Sequence, residues 1–458
     1  MKKNRSPWIH QLNHDREHVA LKEDASSDVV VVGAGIAGIS TAFFILRNTD
    51  KAVIVAEKGK LAHGATGHNA GQIASYFERP FSELCEEFGI ELAGAAQRDV
   101  ESAWQLIDLM FTEAGLTIPL ARFMGQAGFT TYDQIVRHLK DNVYRKKAGL
   151  RIEEFRIADS APFAGSIPKE YEGFYTLVPQ SEVLDLLQTD NRAYVASLSF
   201  QKGCLNSALF CQEIFQYLRK AYPDRFSLYE HTPISKIALH KGGAILDAGK
   251  ATISAKKVVL CTNGFEGFTI INEGGLAVDA KFHHYVRGMV GYMSAYLEPM
   301  NKPPAAISYF PPGNFNAGDP FAEDPYFYLT RRPFDFMGND HMNLISVGGP
   351  ELSLSDRDAY DGDLEYPDAE KDKINAFVRS TYDTAPNKEI DYQFTWHGLM
   401  GYTPSGVRVV GEEPKNRSLV YNLGCNGVGI LPSIYGAKRI SDILAGKKPD
   451  RSIFDPRE

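Results

Sequence analysis

Gly33, Gly35 and Gly38 stand in the spacing G-x-G-x-x-G, and Glu57 closes the next apolar run, within DVVVVGAGIAGISTAFFILRNTDKAVIVAE at residues 28–57. Such residues at such spacing can hold a dinucleotide. Glycines permit a tight turn and let a pyrophosphate approach a helix start, whose free N–H groups and dipole favour an anion. A carboxylate at the tip of the following strand accepts from an adenosine ribose hydroxyl. Ile36 and Ala37 fill the turn between Gly35 and Gly38, and Lys58 follows the acid. Taken alone, the glycines are equally compatible with an ordinary turn.

The elements that must position these residues are legible around them. Residues 28–32 are apolar on both faces, as a strand inside a parallel sheet should be, and they run straight into the glycines. Helical spacing over 39–47 and a second apolar strand at 52–56, ending in Glu57, complete a βαβ unit. Next comes GATGHNAGQ, residues 64–72, in place of the helix and third strand with which a plain nicotinamide fold would continue. Gly64, Gly67 and Gly71 supply backbone freedom there, among Ala65, Thr66, His68, Asn69, Ala70 and Gln72. The unit itself leaves NAD and FAD open, and Glu57 argues only against a ribose 2′-phosphate.

A chain of 458 residues exceeds one ordinary core, so two domains or interleaved lobes are expected. With 49 basic against 57 acidic residues the net charge is −8, which would repel nucleic acid. No apolar run approaches the roughly 20 residues of an integral membrane span. The start, MKKNRSPWIHQL, lacks the continuous apolar region of a signal peptide, which points to the cytoplasm. Five cysteines with no C-x-x-C pair indicate neither a disulfide framework nor a thiolate metal site, and no metal is expected.

Four stretches spread along the chain carry a resemblance: the βαβ unit, GATGHNAGQ, VVLCTNGF at 258–265, and the block from Trp396 to Gly446. Together they resemble the D-amino-acid-oxidase-like superfamily of FAD oxidoreductases, which includes glycine oxidase, sarcosine and dimethylglycine oxidoreductases, D-amino-acid dehydrogenases and gamma-glutamylputrescine oxidase. The resemblance implies an α/β fold: an FAD-binding Rossmann-like domain of glutathione-reductase type, interleaved with an α+β substrate domain on a mixed sheet. The expected division is an N-terminal extension at 1–25, FAD-binding segments at 26–95, 205–270 and 395–450, substrate segments at 96–204 and 271–394, and a tail at 451–458. By the same resemblance, residues 65–72 wrap the pyrophosphate and one side of the flavin. Thr262, Asn263 and Gly264 return the chain to the cofactor, and Gly398, Gly424, Asn426, Gly427, Val428, Gly429, Ile430 and Leu431 close on its ring. The last group is also a glycine turn feeding a helix, whose dipole of about half a charge would stabilise a reduced flavin by roughly 0.3–2 kcal/mol. His68 matches the register of a histidine that, in dimethylglycine and sarcosine dehydrogenases, bonds covalently to FAD.

For substrate, YFYLTRR at 326–332 is the foremost candidate, with Tyr328 as a wall and Arg331 or Arg332 as a carboxylate clamp. Strand alternation lets only one of the two arginines face inward. Arg287 and Tyr76 are lesser candidates, and His397, Tyr402, His283 and His284 could assist amine deprotonation. His397, Tyr402 and Arg331 make up the expected catalytic set. Residues 303–325, rich in proline and aromatics, are expected to be a loop or lid. Lysine and arginine clamps of sarcosine and glycine oxidases are missing, since Leu431 and Gly427 stand at those positions. The expected activity is oxidation of the C–N bond of a small amine or amino acid, with oxygen or another electron acceptor. Its rivals are a 2-hydroxyacid or glycerol-3-phosphate type dehydrogenase and a non-catalytic binding protein on the same fold.

Overall fold

The computed structural model describes residues 4–265, 267–278, 286–312, 326–349, 351–354, 360–383 and 389–457. Parallel strands Phe226–Tyr229, Val53–Ala56, Ala25–Val32, Thr252–Leu260 and Asn416–Leu423 lie side by side in that order. Lys236–His240 and Gly243–Asp247 extend this sheet antiparallel beyond Thr252–Leu260. Alternation along Ala25–Val32 sends Val29 and Val31 into a core with the helices Ile36–Asn48, Ser207–Ala221 and Ile430–Leu444. Val30 and Val32 enter a second core under the antiparallel strands. Burial on both faces is why this strand carries no polar alternation.

A second sheet runs Arg287–Pro299, Asn339–Gly348, Phe327–Phe336, Ala305–Phe310, Leu120–Phe129, Ala196–Leu205 and Glu154–Ala158. It is mixed, because Ala305–Phe310 pairs parallel with Leu120–Phe129 while its neighbours along most of the sheet are antiparallel. Phe394–Tyr402 joins it against Arg287–Pro299, and Gln72–Ala74 against Ala196–Leu205. The glycine-rich loop therefore hands the chain from one sheet to the other.

Several expectations change here. The strand Phe394–Tyr402 belongs to the substrate sheet, so the expected boundary at 395 cuts through a strand of that sheet. Ala305–Phe310, expected as loop, is a strand buried at Ala305–Tyr309, paired along both edges and packed into a core through Ile307 and Tyr309. The rest of that loop, residues 313–325, and His283 and His284 lie outside the described residues. The N-terminal extension is built in: Ser6 caps the short helix Pro7–His10, and Trp8 is fully buried. In the expected tail, Phe454 is buried and its carbonyl accepts from Val410 N at 2.7 Å.

Candidate active site

One cavity of about 940 Å³ spans the junction of the two sheets, within the roughly 300–1,000 Å³ typical of cofactor and ligand sites. Gly33, Gly35, Ile36, Ala37, Glu57 and Lys58 line one end. Gly33 adopts φ +104, and a Cβ there would lie 2.7 Å from Cys261 O, so the turn is pressed against the neighbouring strand. Gly38 stands behind the cavity, where a Cβ would lie 1.8 Å from Gly33 O, and its lack of one lets the helix rest on the turn. The helix Ile36–Asn48 starts without a side-chain cap from Gly35. Ile36 N–H goes to Thr66 Oγ1 at 2.9 Å and Ile39 N–H to Gly35 O at 3.0 Å. The N–H groups of Ala37 and Gly38 have no acceptor among the described residues, as an anion-binding helix start requires. Glu57 accepts from Ala34 N and Gly59 N, each at 2.8 Å. Burial raises its carboxyl above the usual range, and those backbone bonds oppose the rise.

Gly64, Ala65, Thr66, His68, Asn69, Ala70 and Gln72 line the middle. Two glycines of this loop serve a different neighbour from the one expected. A Cβ on Gly67 would lie 2.4 Å from Ile9 Cδ1, and one on Gly71, at φ +70, would lie 2.7 Å from Trp8. The loop is therefore glycine-rich at 67 and 71 because the N-terminal segment packs onto it, and Gly71 lies outside the cavity lining. Asn4, Arg5, Ser6, Ile9, His10 and His14 of that segment line the cavity themselves. Ser6 Oγ donates to Gly67 O at 2.5 Å and Trp8 Nε1 to Asn69 O at 2.6 Å. His68 Nδ1 lies 3.0 Å from Gly64 O, to which it donates, so the neutral ring keeps an unprotonated Nε2. Burial lowers the pKa of His68, which favours the neutral ring.

Thr262, Asn263, Gly398, Gly427, Val428, Gly429 and Ile430 line the far end. Gly264, Gly424, Asn426 and Leu431 stand behind it: Asn426 Oδ1 accepts from Thr403 N at 2.8 Å, and Leu431 is buried in the core. The helix Ile430–Leu444 also starts without a side-chain cap. Two helix starts of this kind thus open on one cavity, a fit to a group with a pyrophosphate at one end and an electron-accepting ring at the other.

Of the substrate candidates, Tyr76 and Tyr328 line the cavity, while Arg287, Arg331, Arg332, His397 and Tyr402 do not. Arg331 is fully buried and donates to Pro303 O at 2.7 Å, Gln188 Oε1 at 2.8 Å and Tyr382 OH at 2.7 Å. It ties strands to a helix end and leaves the clamp role without a group. Arg332, on the opposite face, lies 5.1 Å above the Trp8 ring. Alternation holds, yet neither face at this point of the strand meets the cavity. His397 has both ring nitrogens engaged, Nδ1 with Tyr360 OH at 2.8 Å and Nε2 with Leu364 O at 3.0 Å, so it cannot act as a base in the cavity. Tyr402 reaches the cavity wall indirectly, donating to Glu351 Oε2 at 2.8 Å.

Tyr326, at the head of the foremost candidate stretch, lines the cavity as well, whereas sequence reasoning missed Glu78 and Glu351, which also line it. Single residues in irregular segments carry no periodic signal. It also missed Lys202, fully buried, whose Nζ donates to Gln72 Oε1 at 3.0 Å and whose pKa burial lowers to about 8. The Ser6-Pro7 pair, a cap residue followed by a first-turn proline, was the available sign of the N-terminal helix. No group of three or more His, Cys, Asp or Glu among the described residues could hold a metal ion, and no helix among them is long and apolar enough to cross a membrane.

Gamma-glutamylputrescine oxidoreductase of Escherichia coli is 33% identical over 73 residues, 16% of this chain and 17% of that protein. The probable oxidoreductase OrdL of Haemophilus influenzae is 34% identical over 89 residues, 19% of this chain and 20% of that protein. Alignments to curated relatives thus span only 14% to 20% of their length. Glycine oxidase of Geobacillus kaustophilus shares the fold, with TM-score 0.66 at 16% identity over 95% of this chain and 99% of its own. The profile of the family described as FAD dependent oxidoreductase matches residues 28–443. Uncapped helix starts, glycine turns and Glu57 around one cavity are what an FAD site needs, and the chain belongs to the FAD dependent oxidoreductase family.

Proposed function

We propose that the protein oxidises the C–N bond of a small amine or amino acid. What carries this reading is the tyrosine wall, Tyr76 and Tyr328, on the cavity into which the Ile430 helix start opens. The substrate loses a hydride from carbon and a proton from nitrogen, and water then hydrolyses the imine to a carbonyl compound and an amine. FAD, when bound, accepts the two electrons and passes them to oxygen or another acceptor. Tyr328 has its phenol pushed well above the ordinary range by burial, so it stays neutral and serves to exclude water and orient the substrate. His397, with both ring nitrogens engaged, takes no part in amine deprotonation.

An anaerobic bleaching screen tests the reading. Amines or amino acids are expected to reduce the bound flavin, whereas bleaching by 2-hydroxyacids or glycerol 3-phosphate alone would move the protein to the rival dehydrogenase class. Protein that takes up no FAD would instead be a binding protein on this fold.

His68 lines the cavity with a neutral ring whose Nδ1 carries the proton, the state a covalent bond to flavin through Nε2 requires. Acid precipitation followed by centrifugation is expected to leave yellow colour in the pellet, and His68→Ala to release it. Colour found wholly in the wild-type supernatant would rule out the bond.

A further inference from the structure

One buried cation on the cavity meets only neutral groups. Arg408 is 5% exposed and lines the cavity with Gly33, Gly35, Cys261, Ile430 and Ser433, so it stands among residues of both uncapped helix starts. Its Nε donates to Asn422 Oδ1, its Nη2 to Asn422 O at 2.7 Å and its Nη1 to Gly424 O at 3.1 Å. None of these acceptors carries a charge. A guanidinium has five N–H donors, so the other two are without an acceptor among the described residues.

The surrounding structure is shaped to hold the group there. Asn422 is fully buried, and its Nδ2 donates to Ser433 O at 3.1 Å, in the first turn of the helix Ile430–Leu444, and to Thr41 Oγ1 at 3.3 Å, in the helix Ile36–Asn48. A Cβ on Gly436 would lie 2.5 Å from Asn422 Oδ1, so a glycine there makes room for the amide. Arg408 is thus fixed to the one side chain that joins the two helices whose starts face the cavity.

The ionisable groups that act on Arg408 are the thiols of Cys261 and Cys425, and among the described residues no carboxylate pairs with it. Burial raises both thiols, Cys261 to about 12, so neither supplies a negative charge. Burial also lowers Arg408 to about 10, which leaves it a cation at neutral pH. A cation enclosed by neutral acceptors is unfavourable until an anion arrives to meet it.

The helix starts beside it favour an anion as well, each with about half a positive charge. In FAD the pyrophosphate is charged whether the flavin is oxidised or reduced, whereas the ring turns negative only on reduction. A cation buried in the resting protein calls for the permanent partner. We propose that Arg408 is a ligand of the FAD pyrophosphate, adding a full charge to the two partial charges of the helix starts, whichever substrate the enzyme oxidises.

The test titrates apoprotein with FAD, read by quenching of flavin fluorescence, and then measures the reduction potential of the loaded protein. Arg408→Met should raise the dissociation constant for FAD by about tenfold or more, the loss expected for a hydrogen bond between charged groups. The potential of the flavin it still binds should stay where it was. Arg408→Lys keeps the charge without the planar fork and should fall between wild type and Arg408→Met. Inorganic pyrophosphate should compete with FAD for the wild-type apoprotein, and less well for Arg408→Met. Wild-type affinity for FAD in both variants overturns the proposal. So does a fall in potential, which would place the charge at the ring. Where a variant does not fold, a crystal structure of the wild-type holoenzyme decides. An Arg408 N–H within hydrogen-bond distance of a phosphate oxygen is the expected result, and a guanidinium that meets only ribityl or ring atoms overturns it.

Discussion

Gly38→Ala is expected to yield protein that no longer retains FAD. The added Cβ would sit 1.8 Å from Gly33 O, 3.0 Å from Gly33 C and 3.3 Å from Val31 Cγ1. Two of those atoms are backbone, so no rotamer change relieves the clash. The helix Ile36–Asn48 must lift away from the turn, and its Ala37 and Gly38 N–H groups move with it. Overpacking of this kind costs about 1–3 kcal/mol. Losing the helix-start contact to the pyrophosphate adds up to ~2 kcal/mol. Together these correspond to a fall in FAD affinity of about 100-fold or more. The flavin-to-protein ratio after desalting, followed by a fluorescence titration with FAD, measures it. Because Gly38 does not line the cavity, wild-type affinity in this variant would show that the turn does not position the cofactor.

Trp8→Ala is expected to lower both stability and cofactor retention. Trp8 is 0% exposed, packs edge-on against Trp396 at 6.2 Å, and is held at both ends by Asn69 O and Asn206 Nδ2. Removing a fully buried tryptophan typically costs about 3–5 kcal/mol. The loss falls on the seam between the N-terminal segment and residues 67–71, since Gly67 and Gly71 are shaped to receive Ile9 and Trp8. That segment lies ahead of residue 28, where the family match begins, yet it walls the cavity from Asn4 to His14. The expected result is a melting temperature several degrees lower and faster release of flavin at raised temperature. A variant with an unchanged melting point would mean that the strap is not integral to the fold.

The nucleotide end was legible because everything it needs is local. Val29 to Val32, the three glycines, the helix and Glu57 are contiguous, and each is dictated by backbone sterics, burial on both faces or a helix terminus. The C-terminal glycine turn and helix were readable for the same reason, although their meeting with the first helix start at one cavity required the fold.

The substrate wall obeyed other rules. Arg331 and Arg332 carry the chemistry of a carboxylate clamp, but a strand's alternation fixes only which side each faces, and what lies there is set by distant segments: Gln188 and Tyr382 for one, Trp8 for the other. His397 was equally plausible until Tyr360 and Leu364 took both its nitrogens. Glu78 and Glu351 gave no local sign, since a single carboxylate in an irregular segment resembles any solvated one. From its sequence this protein determined the dinucleotide unit, its acid and the turn that faces the ring, because short-range geometry suffices for them. Only tertiary structure decided which charges look into the cavity and that the N-terminus closes it, because side-chain surroundings come from residues hundreds of positions apart.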